Sequence, residues 1–172
     1  MNNIMVDLET MSTSSQAAII SIGAIYFDAK EGLGKEFYCK VSLASCMKAG
    51  LEVDAPTIIW WLQQAESARK EFFDNDKADS LEDALTKLSE FIEPGCQIWG
   101  NGPAFDNAIL QSAYRLLGKK LPWKYSNDRC FRTIKELFPG IAKPPKSDHH
   151  NALADAKWQA QYYLNMFKAA NS

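Results

Sequence analysis

Residues 17–27, AAIISIGAIYF, are apolar almost throughout. A run this rich in isoleucine reads as a strand covered on both faces, so the chain must supply layers above and below it. Residues 3–9 read as a strand before it, joined through the polar loop TMSTSSQ. The turn signal EGLG and then KEFYCKV at 35–41 complete a three-strand meander. The remainder is helical with one interruption. APTIIWWLQQAES places Ile58, Trp61, Leu62 and Ala65 on one stripe, and SLEDALTKLSEFIEPG does the same with Leu81, Ala84, Leu85, Leu88, Phe91 and Ile92. Ser80 caps the second helix and Pro94-Gly95 stops it. CQIWG (96–100) is a short apolar strand, and NGPAFDNAILQSAYRLLG opens a helix with Pro103 near its first turn. A further helix spans about 129–138, and after the proline-rich PGIAKPPKS a final helix carries the stripe Leu153, Ala156, Ala160, Tyr163, Leu164 and Phe167, with Asp148 as its N-cap. A meander followed by alternating helices and strands gives one mixed α/β domain over residues 1–172.

That layered plan makes IMVDLET, residues 4–10, anomalous. Ile4, Val6 and Leu8 take one face of the strand, and Asp7 and Glu9 share the other. Two like charges side by side repel, and burying either alone is costly. A divalent cation answers that repulsion, because Mg²⁺ and Mn²⁺ take hard oxygen ligands from carboxylates on several elements. Asp106 follows the strand at 96–100 in the first turn of a helix, and Asp155 lies in the last helix behind His149-His150. Taken singly, each has an ordinary reading: an edge pair facing water, a residue stabilised by the helix dipole, a solvated helix residue.

Composition narrows the classes. Hydrophobic residues at 47% with 23% charged give enough apolar surface for a core of this length. No apolar run approaches the roughly 20 residues of a membrane helix, and MNNIMVDLET lacks the basic start of a secretory signal. The four cysteines show no paired C-x-x-C spacing and there are only two histidines, so reduced thiols in a cytoplasmic setting are expected rather than a zinc site. The net charge of −2 conceals residues 115–146, whose nine Lys or Arg against Asp128 and Glu136 give +7 and leave −9 elsewhere. With Trp123, Tyr125 and Phe131 interleaved, that segment is able to track a polyanion, or is simply a solvated surface.

In combination, DLET, NGPAFDNAIL and HNALADA resemble the three signature segments of the DEDDh 3′→5′ exonucleases. Asp7 and Glu9 match the first motif, Asp106 the second, His150 and Asp155 the third, in the right order over nearly the whole chain. APTIIWWLQQ resembles the subgroup of mycobacterial-type exoribonucleases and a T-even phage exodeoxyribonuclease. The resemblance implies a ribonuclease H-like mixed sheet, an antiparallel meander plus parallel strands, flanked by helices. It implies two divalent cations, Mg²⁺ or Mn²⁺, with Asp7 bridging both, Glu9 and Asp155 completing one, and Asp106 serving the other. His150, with an ordinary pKa of about 6.5, becomes the general base on a loop able to close, and His149 a surface residue. Leu8, Thr10, Met11 and Phe105 beside the motifs are the expected substrate contacts. Trp60, on the polar side of its helix, is the residue expected to stack on a terminal base, while Trp61 is core. The implied partners are single-stranded DNA or RNA 3′ ends, with no membrane and a possible homodimer; no residue distinguishes the two nucleic acids. Two other readings are a non-catalytic nucleic-acid- or protein-binding module on this fold, and an interaction protein docking through Trp60, Trp61 and Trp123. The first should have lost a metal ligand, and none is missing here.

Overall fold

A computed structural model describes residues 1–73, 77–145 and 150–171. Its centre is a five-stranded sheet in the order β3-β2-β1-β4-β5. β1 (Asn3–Thr10), β2 (Ile19–Asp28) and β3 (Gly32–Lys40) are the antiparallel meander, and β4 (Gln97–Gly100) and β5 (Asp128–Cys130) add in parallel on the other side of β1. Nine of the ten β2 residues are buried, as a strand covered on both faces requires.

The helices α1 (Leu43–Lys48), α2 (Ala55–Leu62), α3 (Glu66–Phe73), α4 (Leu81–Phe91), α5 (Asp106–Leu116), α6 (Phe131–Leu137) and α7 (Ala152–Ala170) supply the layers. One core joins Ile4, Val6, Leu8, Ile22 and Ala24 to Leu81, Leu85 and Leu88 of α4 and Ile109, Leu110 and Tyr114 of α5. The other joins Met5, Ile25, Phe27 and Trp99 to Phe131 of α6 and Ala156, Ala160, Tyr162 and Met166 of α7. Asp7 and Glu9 thus project with Met5 toward the α7 layer rather than toward open water. Among the described residues no helix is long and apolar enough to cross a membrane.

Several expectations shift. Pro103 precedes α5, which begins only at Asp106. The segment 129–138 divides into β5 and α6, because Asp128–Cys130 pairs with Ile98–Gly100 before the helix begins. The N-cap of α7 is Asn151, whose Oδ1 accepts the Ala154 N–H at 3.0 Å; Asp148 and His149 lie outside the described residues. The α2 stripe fails as well: Trp61 is buried, but Ile58, Leu62 and Ala65 are exposed, because α2 ends at Leu62 and touches the core through one side chain.

Candidate active site

Three backbone elements converge on the C-terminal end of β1. Asp7 and Glu9 alternate with the core residues of that strand. α7 starts directly above β2, where Gly23 faces Asp7 in the register. A Cβ at Gly23 would come within 2.2 Å of the Ala152 carbonyl carbon, so only glycine admits the helix at this height. Asp155, in the first turn of α7, is thereby lowered onto the strand, and its carboxylate gains from the helix N-terminus. On the other flank Gly100 ends β4, where a Cβ would lie 2.6 Å from Asn107 Oδ1 and 3.1 Å from Asp106 Oδ2. Asp106 opens α5, and its Oδ1 accepts the Leu8 N–H at 3.2 Å.

Carboxylate oxygens of Asp7, Glu9 and Asp155 all lie within 4.8 Å of one another. Glu9, Asp106 and Asp155 are buried, and Asp7 keeps a little accessible surface. Burial, followed by the charges of Asp106, Glu9 and Asp155, raises the Asp7 carboxyl well above its usual range; the Gln159 amide, donating to Asp7 Oδ1 at 2.7 Å, partly opposes this. Burial likewise pushes Asp106 up to about 7, against hydrogen bonds from backbone N–H groups and the positive charge of Arg132. Three carboxylates held this close, with the buried Asp106 near enough for its charge to act on Asp7, have the chemistry of a hard-cation site. The oxygen-only donor set suits Mg²⁺ or Mn²⁺, and the raised proton affinities are what a cation would reverse.

Beside the cluster is a cleft of about 500 Å³ lined by Leu8, Glu9, Thr10, Ser12, Thr13, Asp54, Pro56, Thr57, Trp60, Trp61 and Phe105. Leu8, Thr10, Trp60 and Phe105 therefore meet there. Met11 does not: its side chain is buried in the core and its N–H is bound to the Ala18 carbonyl at 2.9 Å. Trp60 is 42% exposed and Trp61 4%. Trp61 is more than core, since its Nε1–H donates to the Thr10 carbonyl at 2.9 Å and ties α2 to the end of β1. Both indoles meet His150 edge-on, with ring centroids 5.0 Å away for Trp60 and 5.8 Å for Trp61. His150 has φ +63, in the left-handed region that few non-glycine residues adopt. Asp54 also lines the cleft, its carboxyl held down at about 2 by bonds from Thr57, Ser12 and Thr13.

Sequence reasoning missed Gln159, which periodicity assigns to no role although it follows Asp155 by one helical turn and is buried with it. In the structure Asp128 accepts from Asn107 Nδ2, Gln111 Nε2 and Trp123 Nε1 at 2.7–2.9 Å, bracing α5 against β5. Trp123 is buried in that bond and is not a docking aromatic.

Comparisons with known proteins bear on the family and the fold. Residues 2–167 match the family described as the Rv2179c-like 3′-5′ exoribonuclease domain. The chain belongs to that family. It is a 3′→5′ exonuclease domain, with a mixed-sheet fold like that of DEDDh nucleases. It is 29% identical over 159 residues to the exodeoxyribonuclease of Enterobacteria phage T4, covering 77% of this chain and 70% of that protein. The fold is similar to E. coli Exonuclease I in complex with a dT13 oligonucleotide (TM-score 0.68, 15% identity), covering 97% of this chain but only 40% of that one. It is also similar to the nuclease domain of 3′hExo, a DEDDh family member bound to rAMP (TM-score 0.66, 14% identity), covering 97% of this chain and 92% of that one.

Proposed function

We propose that residues 1–172 act as one domain that removes nucleoside monophosphates from the 3′ ends of single-stranded nucleic acid by metal-dependent phosphodiester hydrolysis. The observation that carries this is the packing of Asp7, Glu9 and Asp155 within 4.8 Å, with Asp106 bonded to the backbone between the first two, at the wall of a cleft of about 500 Å³. Asp7, Glu9, Asp106 and Asp155 would hold two divalent cations, Mg²⁺ or Mn²⁺. Bound there, such ions supply charge that activates water and stabilises the leaving oxygen. The protein's share is orientation. Gln159 fixes one oxygen of Asp7, the Leu8 N–H fixes Asp106, and the Trp61 indole holds the Thr10 carbonyl beside Glu9.

His150 takes the proton of the attacking water, and its ring is steadied by the edges of Trp60 and Trp61. Leu8, Thr10, Phe105 and the exposed face of Trp60 receive the terminal nucleoside. The names of the relatives point both ways on the sugar, deoxyribonuclease for the phage protein and ribonuclease for the family, so both DNA and RNA are proposed substrates. A homodimer is part of the proposal, supported by the exposed Ile58, Ile59 and Leu62 of α2; light scattering tests it. The four unpaired cysteines support a reducing, cytoplasmic setting.

The test is a 5′-labelled single strand of DNA or RNA incubated with Mg²⁺ or Mn²⁺. A descending ladder that ends in mononucleotides, with a circular strand left intact, is expected. Cleavage of the circle would show an endonuclease instead.

A further inference from the structure

We infer that Arg132 is a phosphate-contacting residue of the substrate path, holding a nucleotide phosphate on the Asp106 side of the carboxylate cluster. The inference rests on the exonuclease reading above. Arg132 stands in the first turn of α6, which starts where β5 ends, and β5 runs parallel to β4 and through it to β1. The start of α6 is therefore on the same side of the sheet as Asp7, Glu9 and the β4–α5 loop. The Arg132 side chain lies against that loop: Nη2 donates to the Asn101 carbonyl at 2.8 Å. A Cβ at Gly102, whose φ of +117 already calls for glycine, would be 3.4 Å from the guanidinium carbon. The charge is near enough to Asp106 to lower its proton affinity.

The guanidinium is exposed, and the Asn101 carbonyl occupies only one of its five N–H donors among the described residues. One edge of the planar fork is thus anchored, and the other is available for two phosphate oxygens. Four other cations of the basic segment are placed otherwise. Lys119 pairs with Glu82 and donates to Thr86, and Arg129 is committed to Gln97, Ser126 and Asp128. Arg115 sits at the far end of α5, roughly 14 Å along the helix from Asp106 at 1.5 Å per residue. Lys124 and Tyr125 precede β5, at the end of the sheet away from the cluster. Lys119, Arg129, Arg115 and Lys124 therefore do not line the site as a continuous track. The carboxylates by themselves repel a phosphodiester, and a fixed cation at their rim turns that repulsion into a register.

The test uses Arg132→Gln and Arg132→Lys in the full chain. Binding of a fluorescein-labelled single-stranded oligonucleotide is followed by anisotropy with Ca²⁺ present, from about 50 to 200 mM salt. Glutamine can still donate to the Asn101 carbonyl but has no charge. A single lost phosphate contact should weaken binding about tenfold and flatten the slope of log Kd against log salt by about 0.7, with an unchanged melting temperature. Lysine should restore the slope and only part of the affinity. An unchanged slope in Arg132→Gln overturns the inference, whether or not the melting temperature falls. Absence of turnover by the unsubstituted protein on both DNA and RNA would refute the exonuclease reading instead, and the salt slope distinguishes the two failures.

Discussion

Replacing Asp106 by asparagine in the metal-free protein isolates the energetic cost of gathering the acids. The Asp106 carboxyl is pushed up to about 7 against an ordinary value of 3.8, burial being the largest cause. At 1.36 kcal/mol per unit, that is a ceiling of about 4 kcal/mol. The folded state holds the proton more tightly than the unfolded chain, so no penalty exists below pH 3.8. Stability is lost progressively as pH rises to about 7, and the loss is constant above it. Asparagine keeps an oxygen for the Leu8 N–H and removes the charge, which also eases Asp7.

In a domain of this size 1 kcal/mol corresponds to about 2–4 °C, so in chelator at pH 8 the variant should melt up to roughly 8–16 °C above the parent. Near pH 4 the two should converge. Saturating Mg²⁺ should narrow the gap at pH 8, because a ligand at a hundred times its Kd adds about 2.7 kcal/mol only where it binds. Differential scanning fluorimetry from pH 4 to 8, with and without metal, reads all three. Parallel melting curves in chelator would show that Asp106 carries no buried-charge cost, and the reasoning would be wrong.

Asp7→Ala should abolish exonuclease turnover while its metal-free form melts no lower than the metal-free parent, since it loses one bond to Gln159 and relieves three repulsions; near-parental activity would rule out the metal site. His150→Ala should slow turnover about 10²–10⁴-fold with binding intact, measured in single-turnover assays. Trp60→Ala should raise KM for oligonucleotides, removing a stacking contact worth about 1–3 kcal/mol, with little change in melting temperature. Trp61→Phe should instead cost about 1 kcal/mol of stability through the lost bond to the Thr10 carbonyl, read by denaturant titration.

The meander and the layers were legible because β2 is apolar on both faces and β1 alternates, patterns that only a covered sheet satisfies. β5 was not, because three residues of mixed polarity carry no periodicity and owe their strand conformation to pairing with β4. The most instructive failure is α7. Hydrophobic periodicity selected Leu153, Ala156, Ala160, Tyr163, Leu164 and Phe167; Ala156 and Ala160 are buried, yet the rest of the buried face runs through Ala152, Asp155, Gln159, Tyr162 and Met166. Two of those residues are polar, so a rule that sends polar groups outward rotates the helix away from its true face. Asp155 was recovered only through its spacing from His150, and Gln159, which has no motif of its own, was not recovered. The exposed apolar residues of α2 misled in the opposite sense, since apolar spacing there marks an open surface.

The geometry of the cluster is set by the backbone rather than by attraction among its members. Four acids repel, so something else must bring them together, and two glycines account for how closely. Gly23 lets α7 rest on β2, and Gly100 lets α5 begin against β4, so that β1 is flanked by two helix N-termini. Each contributes a carboxylate from its first turn, where the helix dipole favours negative charge by about 0.3–1 kcal/mol, rising toward 2 when partly buried. That does not offset a penalty on the scale of the Asp106 shift. The difference is carried by the apolar packing behind each acid: Ile109, Leu110 and Tyr114 behind Asp106, and Ala156, Ala160 and Tyr162 behind Asp155. Truncating Ile109, Leu110, Tyr114 or Tyr162 to alanine costs about 2–5 kcal/mol each. The fold therefore gathers the carboxylates by itself, and on the proposed metal-dependent reading binding energy need not be spent on assembling them.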